Sequence, residues 1–253
     1  NQGADLKLDN GTLELGDNLT LVDSNLESAQ GRLKLLDNVS LIIPASVSFR
    51  EIQLQQKTLA LDSSVTSLTV TEQLLIDHAE AGIIRNQAEM VFKGGVQIDQ
   101  GSKLSLDNQS QIQPGNIILN GGNLEVYGPP NTDTSALPTG VSVLRPSTVK
   151  IAPGVLFLSD NLSLQDSFTI HFESPESRFE TGSLFLVKES SLTGNGTSKL
   201  LLQNLFFNEQ NEDRLILNNI TVEINNCISN TERARIDETN GTFVMSSALE
   251  ITD

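Results

Sequence analysis

The feature that most constrains this chain is a short phrase repeated along its whole length: one large apolar residue, one polar residue, one more large apolar residue. Leu6 and Leu8, Leu13 and Leu15, and Leu19 and Leu21 open the series. Leu33 and Leu35, Val39 and Leu41, Val47 and Phe49, and Ile52 and Leu54 extend it, and Phe243 and Met245, then Leu249 and Ile251, end it. Alternation of this kind is the period-two signature of a strand with one buried face. The few residues between phrases are rich in Gly, Asn, Asp and Ser, which supply tight corners.

Spacing then separates two all-β architectures. Phrases start at 6, 13, 19, 26, 33 and 39, so three strands use about 20 residues before a similar segment returns. T-L-E-L-G-D-N-L-T-L at 12–21 and R-L-K-L-L-D-N-V-S-L at 32–41 match in pattern, and V-L-F-L-S-D-N-L-S-L at 155–164 echoes them. A sandwich or up-and-down barrel wants longer strands and hairpins. A fixed period near 20 residues predicts a parallel β-solenoid (β-helix) spanning 1–253, in which successive coils stack about 4.8 Å apart. At that period 253 residues make about a dozen coils, a rod on the order of 60 Å long.

Interruptions refine this expectation. Segment 71–92 is richer in Glu, Gln and Ala than its neighbours and is expected to hold a short helix or helical excursion. Segment 127–146 carries Pro129, Pro130, Pro138 and Pro146, half of the chain's 8 prolines. Proline cannot donate to a ladder, so this is a loop projecting from the rod or a sub-domain junction, with projection preferred. Residues 208–214 and 225–241 are read as further polar interruptions. Eight of the 10 Phe lie after position 150, which predicts a wider core there.

Composition narrows the function. The chain carries 32 acidic and 16 basic residues, a net charge of −16, which disfavours nucleic acid and anionic membrane as partners. No apolar run approaches the roughly 20 residues that span a bilayer. A single cysteine, Cys227, allows no internal disulfide. Both ends stand in mid-pattern, which predicts flanking sequence or end-to-end homo-association of open solenoid ends.

The Asp-Asn dipeptides, such as Asp17-Asn18, Asp37-Asn38 and Asp160-Asn161, read as corner residues that bond to their own turn. Asp17 and Asp37 lie one period apart, and as stacked carboxylates they are the candidate Ca²⁺ site, ranked behind the corner reading. Eight Asn-x-Ser/Thr sequons, from Asn10 to Asn240, follow from the same corner chemistry. His171 is expected to point outward near Glu173, far in sequence from His78. Asp99, Asp107, Glu125, Glu173 and Glu180 are acids that stacked coils can bring near one another, as a β-helix polysaccharide enzyme requires, though the same holds for any of the chain's 32 acids. No catalytic residue is assigned, because no serine-nucleophile, phosphate-loop, zinc or dinucleotide motif is present. The candidate partner-binding residues are Tyr127, Asn131, Asp133 and Arg145 in the proline-rich segment.

At the level of the T-L-E-L-G-D-N-L-T-L and V-L-F-L-S-D-N-L-S-L phrases, the chain resembles the passenger regions of bacterial autotransporters and filamentous adhesins. The resemblance implies a secreted right-handed β-helix at the cell surface. The first reading is therefore a structural or adhesive rod-like segment of a larger extracellular protein, presenting loops to a protein or glycan on another surface. The alternative is a carbohydrate-active β-helix enzyme or carbohydrate-binding module. With one Tyr and no Trp to stack on sugars, the first is preferred.

Overall fold

A computed structural model describes residues 6–21, 26–78, 82–84, 88–106, 110–112, 115–127, 140–187, 189–208, 213–229, 234–245 and 250–252. Every paired strand in it is parallel to its neighbours, and the neighbour is one coil away rather than one hairpin away. On one face Leu13, Leu33, Ile52, Leu74, Val96, Ile117, Val141, Leu162, Leu184, Leu205, Ile228 and Ile251 pair in register, each with the next. The steps between them are 19 to 24 residues long. The chain is thus a parallel β-solenoid with coils about 21 residues apart. At one strand spacing per step, this ladder is about 50 Å long.

Two further faces complete each coil. The second face includes Val47, Leu68 and Met90 in one series and Phe157, Phe179, Leu200, Val222 and Phe243 in another. On the third, Leu104, Leu124, Val149 and Ile170 stack in the same way. All three faces turn their apolar residues inward, into one contiguous buried cluster from Leu15 to Ile228. This is the arrangement that period two dictates when each strand has one dry and one wet face.

Segment 71–92 corrects the sequence reading. Its described residues form strands, Ser67–Asp77, Ile83–Ile84 and Glu89–Phe92, and no helix occurs among the described residues. Leu74 and Ile76 are fully buried, each paired in register with the coils on both sides. A helix there would forfeit both sets of ladder bonds, and that outweighs the helix-forming tendency of Glu, Gln and Ala. Within 225–241, the strands Arg214–Ser229 and Arg235–Thr239 occupy much of the expected interruption, and residues 230–233 lie outside the described residues. In the proline-rich segment, strand structure runs to Val126 and resumes at Gly140; residues 128–139 lie outside the described residues.

Strands are not all short. Six of those described, including Ser46–Gln55, Leu156–Leu164 and Arg178–Leu186, continue round a corner as one strand, with the pairing interrupted only at the corner itself, as at Arg50 and Asp160. At one such corner the backbones come too close for any side chain. A Cβ on Gly94 would fall 1.7 Å from the Glu72 carbonyl oxygen, and one on Gly115 would fall 2.4 Å from the Gly95 nitrogen. Gly95 itself has φ +116°, which an L side chain rarely adopts.

The late phenylalanines divide by parity. Phe157, Phe168 and Phe179 are buried, and the first two both pack on Phe179, with centroids 4.9 Å away for Phe157 and 6.4 Å away for Phe168. Phe185 and Phe206 alternate with inward-facing leucines and therefore lie on the outer surface. Their rings stack at 4.9 Å and 10°.

Candidate functional site

Outward positions stack as regularly as the core, so residues one coil apart become neighbours. Many charges are placed this way. Lys34 Nζ lies 3.0 Å from Glu14, Arg32 Nε 2.7 Å from Glu51, and Lys199 Nζ 2.5 Å from Glu223. Exposed pairs of this kind stabilise by at most about 1 kcal/mol each, but they favour one register over its neighbours.

The densest such group is on the third face. Ser105, Glu125, Lys150 and His171 form one outward row, each in register with the next. Glu125 Oε2 accepts the Tyr127 hydroxyl at 2.9 Å and the Ser105 hydroxyl at 3.2 Å, with Lys103 Nζ at 3.5 Å. Burial alone would raise the Glu125 carboxyl. The Tyr127 hydrogen bond and the Lys103 ammonium outweigh it and hold the group below the usual glutamate range. Tyr127 is pushed up in turn, chiefly because its proton is bound to Glu125. Lys150 Nζ sits 2.7 Å from Glu173, which raises the ammonium. His171 is exposed, as the alternation predicts, but Glu173 pairs with Lys150.

Of the four candidate binding residues, Tyr127 and Arg145 are described, and Asn131 and Asp133 lie outside the described residues. Tyr127 is half exposed at the exit of the third face, where its N–H donates to the Leu106 carbonyl. Arg145 stands at the entry to that face, in register with Asn120. The two therefore occupy opposite ends of the face, not one site.

Asp17 and Asp37 stand at successive corners, but each carboxylate is already engaged. Asp17 Oδ1 accepts its own neighbour's N–H, from Asn18, and Asp37 Oδ1 that of Asn38, both at 2.7 Å. The residue one further period along is Lys57, whose Nζ lies 3.7 Å from Asp37 Oδ1. An ammonium in that place repels a cation rather than helping to hold one. No group of three His, Cys, Asp or Glu side chains suited to a metal ion occurs among the described residues. Of the five acids that stacking can bring near one another, Asp99 accepts from Gln97 and Asn120, while Glu125 and Glu173 pair with lysines; Asp107 lies outside the described residues.

Two clefts open where the second face turns into the first. One, of about 320 Å³, is lined by Glu51, Glu72, Gln73, Gly94, Gly95 and Asn116 among others. The other, of about 260 Å³, has Asp160 and Glu180 in its wall with Gly182 and Gln203. Both owe their hollow to corner glycines, and the sequence signal for them was the glycine at a coil corner. Among the described residues no helix is long and apolar enough to cross a membrane. No family model, curated protein or solved structure matches the chain.

Proposed function

We propose that this chain is a structural or adhesive rod-like segment of a larger extracellular or cell-surface protein, and that it holds recognition surfaces out to a partner. The observation that supports this best is the unbroken ladder from Leu13 to Ile251. Each coil contacts only the coils on either side, so stiffness accumulates along one axis and a side wall of regular spacing results. The acidic exterior keeps such walls soluble and apart. The likeness to autotransporter passengers and filamentous adhesins agrees with this use of the fold.

The test is adhesion. Beads coated with the purified chain are expected to adhere to a cell or matrix surface, and small-angle scattering is expected to give an elongated particle. Asn131→Ala combined with Asp133→Ala, which keeps the chain length, separates residues 128–139 from the side walls as the adhesive element. A compact particle or beads that never adhere would overturn the reading.

The carbohydrate-active alternative is favoured by one observation, the presence of two carboxylates, Asp160 and Glu180, in the lining of one cleft. It predicts release of reducing ends from a polysaccharide, lost in Glu180→Gln.

A further inference from the structure

Charge is unevenly distributed over the three walls. On the first face the outward row Asn116, Gly140, Asn161, Ser183, Asn204 and Cys227 carries no ionisable acid or base other than the thiol. The parallel row two residues on is Ile118, Ser142, Ser163, Phe185 and Phe206, and it is uncharged throughout. Arg145 is confined to the end of its strand. The same face begins charged, with Arg32 beside Glu51 and Lys34 beside Glu14. On a chain of net charge −16 an uncharged wall of six strands stands apart.

The two rows differ in chemistry and run in the same direction, along the solenoid axis. The first is a line of amides and hydroxyls. Asn226 Nδ2 donates to Asn204 Oδ1 at 2.9 Å, and Asn204 Nδ2 lies 3.4 Å from Ser183 Oγ, so the amides are held in orientation. The second contains the stacked rings of Phe185 and Phe206. Phe185 is 38% exposed, and its neighbours on the other side are Ser163 and then Ser142, both too small to cover a phenyl ring.

The geometry points to this wall as a binding surface for a neutral polysaccharide chain lying parallel to the solenoid axis. Its sugar C–H faces pack against Phe185 over Ser163, and its hydroxyls bond to the row of amides. Amides both donate and accept, which matches hydroxyls, and aromatic faces match the apolar side of a pyranose. The absence of fixed charge selects an uncharged polymer over uronates or sulfated chains, which the remaining acidic exterior repels. Size separates this occupant from a second copy. Six strands about 4.8 Å apart and about five residues long make roughly 400–500 Å², well under the ~800 Å² per partner of a stable protein interface. A narrow linear polymer needs no more.

The inference rests on the rod reading above and supplies the ligand of one wall. Its test uses the full chain in affinity electrophoresis through gels containing xyloglucan, galactomannan or mixed-linkage β-glucan, and in sedimentation with insoluble cellulose and chitin. Polygalacturonate is the acidic control. Retardation or co-sedimentation on at least one neutral polymer is expected. Phe185→Ala and, independently, Ser163→Glu are each expected to weaken it tenfold or more, with the circular dichroism spectrum and thermal midpoint retained. Leu36→Ala, an exposed leucine at the charged start of the same face, is expected to leave it unchanged. No retention on any neutral polymer, or retention indifferent to both variants, would overturn the assignment, as would concentration-dependent dimerisation abolished by Phe185→Ala. Those results leave the scattering and bead-adhesion tests of the rod reading untouched, so the two ideas fail separately.

Discussion

Asn38 and Thr58 are joined across one coil: the side-chain Oδ1 of Asn38 accepts the backbone N–H of Thr58 at 2.9 Å. Asn18 does the same for Ser40 at 2.8 Å. The corner asparagine thus replaces a ladder bond at the point where the chain turns and strand pairing lapses. It also explains why Asp precedes Asn in both places, since the carboxylate ties down the N–H of the asparagine itself.

Asn38→Ala removes this acceptor while leaving the corner exposed to water. The expected loss is about 0.5–1.5 kcal/mol, the usual net worth of one hydrogen bond. Urea denaturation reads it as a lower midpoint at unchanged slope, and an unchanged midpoint would show that water replaces the amide without cost.

Gly94→Ala is the sharper corner test. The added carbon meets the Glu72 carbonyl at 1.7 Å, and the obstacle is backbone, which has no rotamer to change. Relief requires separating two coils, so destabilisation of roughly 1–3 kcal/mol is expected. Gly154→Ala is a control of another kind: space is open there, and its φ of +71° is the only obstacle. Its smaller thermal shift, set beside that of Gly94→Ala, separates crowding from backbone strain.

Much of this was legible beforehand. Period two places Leu184 and Leu186 inward, and the 20-residue return from Leu13 to Leu33 is visible in the letters, but a count of late phenylalanines credits Phe185 and Phe206 to a wider core when both lie on the outer surface. Other parts were not, for identifiable reasons. The composition of 71–92 favours helix, and only the ladder partners of Leu74 and Ile76 decide otherwise. Asp17 and Asp37 form a column whose third member, at the same spacing, is Lys57, and a search for acids alone passes over it. The uncharged wall is invisible in sequence because its residues are brought together by steps of unequal length, 24 residues from Ile117 to Val141 and 21 from Val141 to Leu162. Aromatic scarcity was counted against sugar binding, yet two outward rings in register make a surface that a count of Tyr and Trp does not measure.

Leu184→Ala probes the core in the middle of the ladder. The side chain is fully buried between Leu162 and Leu205, so about 2–5 kcal/mol is expected from lost burial and the cavity left behind. Because each coil touches only its neighbours, the damage is expected to be local. Hydrogen exchange should rise in Leu156–Leu164, Arg178–Leu186 and Ser190–Phe206 before it rises near Leu33. Uniform acceleration along the chain would contradict a nearest-neighbour rod.

Asp213 is 1% exposed. Its Oδ2 accepts the Asn208 N–H, and its Oδ1 has no partner among the described residues. Burial holds this carboxyl above its ordinary range. A raised acid is penalised when ionised, so the penalty is fully present above the folded value and disappears as pH falls below the unfolded value of about 3.9. Asp213→Asn is therefore expected to match or exceed the parent thermal midpoint at pH 7 and to lose that advantage near pH 3.5. A lower midpoint at pH 7 would mean that the charge is compensated by a partner.

Glu125 has the opposite sign. Its folded value is depressed, so the linked stability is present above the unfolded glutamate value, about 4.3, and is lost as acidification passes through the folded one. Three groups oppose the cost of its partial burial: the Tyr127 hydroxyl, the Lys103 ammonium and the Ser105 hydroxyl. Tyr127→Phe removes the leading one and keeps the ring. The carboxyl resonance of Glu125, followed by NMR during acid titration, is then expected to shift upward in midpoint. The same variant should show a shallower loss of thermal stability as pH falls through about 4.3 and below it. Lys103→Met acts on the same carboxylate through charge instead, so its effect should shrink in high salt while that of Tyr127→Phe persists. If both shifts vanish together at high ionic strength, the phenol contributes only through the field around it, and the hydrogen bond is not what holds Glu125 down.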